Sequence, residues 1–213
     1  MEFNRFKTAL SKLKNLDLPG EEIQLNMAPQ ERLQELKKIA QSQKNASKAG
    51  VMALFYPNEQ QQTNLILILR KTYRGVHSGQ VGFPGGRFEI QDRDLTETAL
   101  RETEEEIGVP RAHIQVVKQL TEMYIPPSNF IVQPFMGFVE SLPQFIAQPT
   151  EVEALIEVPL THFLDDSVIV NKTLTTSYAI DIEVPAYQLN NHVVWGATAM
   201  ILSEVRHLLK EVL

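Results

Sequence analysis

Apolar residues at Phe3, Phe6, Leu10 and Leu13 recur at intervals of three and four, which predicts an amphipathic helix at the start of the chain. Pro29 opens a second pattern of the same period through Leu33, Leu36 and Ile39. After a polar connector from Lys44 to Lys48 the pattern changes. The runs VMALFYP and NLILILR are short and almost continuously apolar, as expected of buried strands, with a polar turn from Asn58 to Asn64 between them. Strand-like runs return at QVVKQLTEMY, FIVQPFMGFV, ALIEVPL, SVIVN and HVVWGA, and Thr198 to Leu213 reads as a closing amphipathic helix. Between these strands a further helix is predicted from about Leu95 to Ile107, with Asp94 as its cap and Gly108 as its stop. Strands interleaved with helices, without an internal repeat, give a mixed α/β fold.

The chain's 213 residues suffice for one large domain or for one domain with an extension. No apolar stretch approaches the roughly 20 residues that span a bilayer, and MEFNRFKTALSKLKNL lacks the apolar core of a secretory signal, so a cytoplasmic protein is expected. The absence of cysteine excludes disulfides and thiolate metal sites, leaving oxygen and histidine as metal ligands. A net charge of −6 argues against a surface that attracts nucleic acid as a whole, while leaving room for a local basic patch.

The predicted helix at Leu95 carries the most unusual chemistry. Eight acidic residues fall between Glu89 and Glu106, although neighbouring like charges repel. Glu102, Glu105 and Glu106 stand at i, i+3 and i+4, which at about 100° per residue places them on one helix face, where they are expected to converge without being buried. Arg101 lies four residues before Glu105, within reach of an ion pair that orients it, while Ala99, Leu100, Thr103 and Ile107 are free to face the protein body. Oxygen ligands in this arrangement suit Mg²⁺ or Mn²⁺. A Glu-rich helix is more often a solvated face. Here, however, five of the ten glycines lie between Gly75 and Gly86, directly upstream, and Phe83-Pro84-Gly85-Gly86 allows main-chain N–H groups to approach phosphate oxygens.

These residues resemble the signature of the Nudix hydrolases. Arg101-Glu102-Thr103-Glu104-Glu105-Glu106-Ile107-Gly108-Val109 is similar to its ending, with Thr103 in a slot that is usually apolar. The stretch from Gly86 to Arg101 is one residue longer than the general pattern, so the acidic residue expected in the loop is Glu89, Asp92 or Asp94. The coenzyme A diphosphatase-like branch has the same longer loop. Its upstream pattern resembles Leu67-Ile68-Leu69-Arg70-Lys71 through Arg74, His77, Gly79 and Phe83-Pro84-Gly85-Gly86. Lys71 replaces a serine there, and Arg74 is displaced by one position. Met27-Ala28-Pro29, Glu157-Val158-Pro159-Leu160 and Trp195-Gly196-Ala197-Thr198-Ala199 extend the similarity over most of the chain.

The resemblance implies an α/β/α sandwich with a mixed β-sheet, in which residues 1–44 form an N-terminal helical extension packed on a Nudix hydrolase domain of residues 45–213. It implies Mg²⁺ or Mn²⁺ held by Glu102, Glu105 and Glu106, with Glu105 a ligand or a water-orienting base held by Arg101. Glu151 is the candidate for a further carboxylate from a distant loop, in competition with Glu122 and Glu153. Arg70, Arg74, His77, Gly85, Gly86 and Arg87 are the candidate substrate-binding residues, each weighed against a merely structural place in strand or loop. Trp195 reads as core rather than as a platform for adenine. The implied activity is hydrolysis of coenzyme A or acyl-coenzyme A to 3′,5′-ADP and 4′-phosphopantetheine or its acyl form. Another nucleoside diphosphate, such as ADP-ribose or a dinucleotide, is the alternative, and a non-catalytic ligand sensor ranks third. The implied partner is this small molecule, with neither nucleic acid nor membrane and with a homodimer left open.

Overall fold

The computed structural model describes residues 1–29, 45–72, 77–174 and 181–213; the helical pattern following Pro29 and the candidate Arg74 lie outside these residues. Helix α1 (Phe3–Leu13) forms where the periodicity predicts it, and the Glu2 carboxylate caps its first turn by accepting from the N–H groups of Asn4 and Arg5. A short helix α2 (Glu21–Leu25) follows, which the pattern of apolar residues did not predict.

The main sheet is built around β1 (Ser47–Pro57), which pairs in parallel with β7 (Phe130–Phe138) and antiparallel with β2 (Thr63–Arg70). Two short strands too small to read from sequence, β3 (Val81–Gly82) and β4 (Gly85–Arg87), pair with β2 and β1 respectively. Strands β5 (Gln115–Gln119) and β6 (Met123–Ile125) pair with β7, and β8 (Val152–Pro159) pairs with β2. Arg70 therefore ends an interior strand, not an edge strand as one sequence reading allowed.

Alternation of side chains along β1 and β2 divides the core into two layers. Met52, Leu54, Tyr56, Ile66 and Ile68 pack with Ala99 and Ile107 of helix α3 (Leu95–Ile107). Their neighbours Ala53, Phe55, Leu65 and Leu67 face the opposite layer, with Phe3, Phe6, Leu10 and Leu13 of α1 and the apolar stripe of the last helix. Burial on both faces explains why these two strands read as continuous apolar runs. The result is the α/β/α sandwich with a mixed sheet.

After β8 come a short helix α4 (Leu160–Leu164) and an antiparallel meander of β9 (Ile169–Leu174), β10 (Ile182–Leu189) and β11 (His192–Val194), before the last helix α5 (Gly196–Val212). The run SVIVN begins in a single helical turn at Asp166–Val168, and HVVWGA stops being a strand at Val194. Strand β10 escaped the sequence reading and contains Pro185, which demotes a run as a central strand. The structure tolerates it because β11 covers only Tyr187 to Leu189, so β10 is open on that side at Pro185. Trp195, read as core, is only half-buried and precedes α5. Among the described residues no helix is long and apolar enough to cross a membrane.

Candidate active site

Helix α3 has the predicted ends. Asp94 accepts from the Glu97 N–H at 2.9 Å, and Gly108 closes the helix with a φ of 73° while its N–H bonds the Glu104 carbonyl. The buried stripe of Ala99, Thr103 and Ile107 holds α3 on the sheet and fixes which face its carboxylates present.

Arg101 is the buried hub of the site. Its Nε and Nη2 donate to Asp92 at 2.9 and 3.0 Å, Nη2 also reaches the Arg87 carbonyl at 3.0 Å, and Nη1 donates to Glu102 at 2.8 Å and Glu105 at 3.0 Å. Asp92 in turn accepts from Thr98 Oγ1 and the Glu89 N–H. Of the three loop acids left open by the sequence, Asp92 is thus the one that orients Arg101, whereas Asp94 serves as the helix cap. The Arg101 guanidinium holds the Asp92 carboxyl far below the usual carboxylate range, and Asp92 raises Arg101 in return.

The glutamates are less exposed and less gathered than their spacing suggests. Glu106 is buried, with its Oε2 accepting from the Gly85 N–H at 2.8 Å and its Oε1 facing Arg70 Nη1 at 3.4 Å. Burial pushes its carboxyl up to about 7; the Gly85 N–H and Arg70 oppose this rise, and Glu102 and Glu151 add to it. Glu102 is also raised, first by burial and then by Glu105 and Glu151, against the pull of Arg101. Glu105 keeps half of its side chain in solvent. The expectation of three exposed carboxylates converging on one point is therefore corrected. Among the described residues no three acidic or histidine side chains stand close enough to form a ready metal cage, because each glutamate has turned to a protein donor.

Glycine sets the approach of the loop. A Cβ on Gly86 would lie 2.4 Å from the Glu102 carboxyl carbon, and Gly85 has a φ of 150° with Gly50 O only 2.5 Å from where its Cβ would stand. The pair is pinned to the sheet through β4 and through the Met52 N–H, which bonds the Pro84 carbonyl at 2.9 Å.

Arg70, His77, Gly85, Gly86 and Arg87, all the described members of the candidate binding set, line one cavity of about 360 Å³. The same cavity has an apolar lining from Val51, Phe83, Ile125, Phe130, Val132 and Ile201. His77 has a φ of 69° and its Nδ1 lies 3.0 Å from Gln80 Oε1. Arg70 both lines this cavity and faces Glu106, so it joins the pocket to the carboxylates. Trp195 does not line the pocket; Ala197 and Thr198, just beyond it, do. Sequence reasoning missed the apolar lining. Phe130 and Val132 stand two apart on β7 and so share a face, but nothing in the pattern tells which face meets the glycine strand.

The candidate distant acids separate electrostatically. Glu151 acts on both Glu102 and Glu106, its carbonyl accepts from the Lys71 N–H at 2.8 Å, and Gln148 of the same turn bonds the Glu106 carbonyl at 2.9 Å. Glu153 is paired with Lys71 at 2.8 Å, and Glu122 is exposed before β6.

Comparison with known proteins gives the arrangement its context. The Nudix-domain family model matches residues 46–173. A protein of Yersinia enterocolitica described as the uncharacterized Nudix hydrolase NudL is 34% identical over 148 residues, covering 66% of this chain and 71% of that protein. A NudL of Photorhabdus laumondii is 31% identical, over 66% of this chain and 74% of its own. The fold is shared with a MutT/nudix family protein from Enterococcus faecalis, with a TM-score of 0.51 at 18% identity over 86% of this chain and 71% of the other. It is also shared with the M. smegmatis Nudix hydrolase RenU, with a TM-score of 0.53 at 13% identity over 79% of this chain and 88% of the other. A family match over more than half of the sequence, centred on a glycine strand laid against a carboxylate helix, makes this chain a member of the Nudix hydrolase family.

Proposed function

We propose that this Nudix hydrolase cleaves the diphosphate of coenzyme A or acyl-coenzyme A. The observation that carries the reading is the mixed lining of the pocket, in which Arg70, His77 and Arg87 share one cavity with the apolar Phe83, Ile125, Phe130 and Ile201. Coenzyme A has matching halves, with a phosphate-rich nucleotide on one side of the diphosphate and a long, weakly polar pantetheine arm on the other. Basic side chains satisfy the first and apolar area the second.

The donor set fits a hard divalent ion such as Mg²⁺ or Mn²⁺. Glu102, Glu105 and Glu106 are the oxygen donors that would hold it on exchanging their present bonds to Arg101 and the Gly85 N–H, and Gly86 lets the Glu102 carboxylate lie directly against the loop. When bound, such an ion neutralises the diphosphate oxygens and lowers the pKa of a water nucleophile. The chain's own groups do the positioning. Arg101, anchored by Asp92, holds Glu105 toward solvent, where its carboxylate orients water and accepts its proton. Glu151 stands as a second carboxylate able to take that proton. The water oxygen bonds to one phosphorus as the bond from that phosphorus to the bridging oxygen breaks, yielding 3′,5′-ADP and the 4′-phosphopantetheine product.

Product analysis tests this across coenzyme A, acetyl-coenzyme A, dephospho-coenzyme A, ADP-ribose and NADH with Mg²⁺ or Mn²⁺. The highest kcat/KM is expected for coenzyme A species, with release of 3′,5′-ADP. A clear preference for ADP-ribose would replace the coenzyme A reading with that of another nucleoside diphosphate hydrolase.

A further inference from the structure

Among the described residues, Arg70 and Arg101 touch these carboxylates, and they are held very differently. Arg101 is buried and bonds Asp92 through two nitrogens, so it keeps its place whatever happens at Glu102 and Glu105. Arg70 is more exposed, with a relative side-chain accessibility of 29%, and its contact with Glu106 is long at 3.4 Å. It stands at the last position of β2, where its N–H is fixed to the Gln80 carbonyl while its side chain extends between Glu106 and the pocket. A divalent ion on Glu106 competes with this guanidinium for one carboxylate, and two cations at one oxygen repel.

We propose that Arg70 is an exchange group: a divalent ion arriving at Glu106 displaces its guanidinium, which then turns to a substrate phosphate in the adjoining pocket. The proposal rests on the reading of Glu106 as a metal ligand, but not on the identity of the substrate. It makes binding of the ion and of a diphosphate mutually reinforcing beyond their direct contact, because each favours the arrangement in which Arg70 has left Glu106. Before the ion binds, the same residue supplies a counter-charge to a buried carboxylate.

The test is calorimetric titration of the whole protein with Mn²⁺ alone, and with methylenediphosphonate, a diphosphate that water does not cleave, in the presence and absence of Mn²⁺. A pH of about 8.5 keeps the carboxylates ionised. Arg70→Met retains the apolar stem and removes the charge. It is expected to bind Mn²⁺ about tenfold more tightly than the parent and methylenediphosphonate with Mn²⁺ about tenfold more weakly, as for loss of one charge-assisted bond. These opposite signs distinguish a charge acting on both ligands from a structural role, which would lower thermal stability and leave both affinities in place. Mn²⁺ affinity that is unchanged or weaker in Arg70→Met overturns the proposal, even where the diphosphate binds less well.

Glu106→Gln separates exchange from a fixed charge, and it also carries the test where Arg70→Met alone, which leaves the buried Glu106 carboxylate without its counter-charge, does not fold. Without metal it should bind methylenediphosphonate about tenfold more tightly than the parent. That gain should vanish in the double variant Arg70→Met/Glu106→Gln, and its persistence there overturns the exchange. Mn²⁺ affinity unchanged by Glu106→Gln overturns both the exchange and the metal-ligand reading of Glu106, whereas a failure of coenzyme A as substrate touches neither.

Discussion

Replacing Glu106 by Gln is expected to change how the stability of this protein depends on pH. The Glu106 carboxyl is raised by burial from its ordinary 4.5 to about 7. A group whose proton affinity is higher in the folded state favours folding while protonated. Its contribution is fully present below about 4.5 and is lost as pH rises through about 7. At about 1.4 kcal/mol per pH unit, the cost of ionising Glu106 in the folded protein is about 3 kcal/mol. Gln keeps the shape and can still accept from the Gly85 N–H, but it carries no proton to lose and no charge for Arg70. The bonding of the ionised carboxylate to the Gly85 N–H and Arg70 is already contained in its raised proton affinity, so what remains between Glu and Gln is a constant offset. The measurement is therefore the difference in unfolding free energy between parent and Glu106→Gln, by urea titration in a chelator, from pH 5 to pH 8. Relative to the parent, the variant should gain about 2 kcal/mol across that range. Turnover of the variant with metal should fall by at least about a hundredfold. Parallel stability profiles for the two proteins would refute the claim that Glu106 is ionised at a cost.

The two glycines beside the carboxylates should fail in different ways. In Gly86→Ala the atoms nearest the new Cβ are those of the Glu102 carboxylate, the far end of a side chain, so thermal unfolding should stay near that of the parent while kcat/KM drops at least about tenfold. In Gly85→Ala it meets backbone at Gly50 and Val51 and an unsuitable φ of 150°, and the loss should appear as lower stability. Asp92→Asn leaves the buried Arg101 without its bidentate partner and should cost about 3 kcal/mol at neutral pH by urea unfolding. Because Asp92 is depressed, that stabilisation exists above the ordinary carboxylate range and disappears in strong acid, where parent and variant should converge. Phe6→Ala removes a fully buried ring 5.0 Å from Phe55 and should cost about 3–5 kcal/mol, since α1 shares the core of the sheet.

Periodicity and caps were enough to read α1, α3, the paired central strands and the apolar stripe of α5, because each is decided by neighbours within a few residues. The bounds of α3 followed from Asp94 and Gly108, one supplying a side-chain acceptor and the other a left-handed stop. The placing of the acidic side chains was legible for the same reason: Glu102, Glu105 and Glu106 share a helix face by arithmetic, and Arg101 reaches Glu105 within one turn. Tertiary structure decided what those charges experience. Only the descent of β4 onto α3 buries Glu106 and offers it the Gly85 N–H, so its raised proton affinity has no local signature. Asp92 could not be separated from Glu89 and Asp94 until the loop folded back on Arg101, nor Glu151 from Glu153 until one acted on the helix and the other paired with Lys71. The apolar lining of the pocket gathers residues from elements far apart in the chain, and only the assembled fold brings Phe130 of β7 and Ile201 of α5 into one cavity with Arg70. Local pattern determines which groups are present and which share a face; desolvation and pairing depend on distances that the chain closes only when the sheet is assembled.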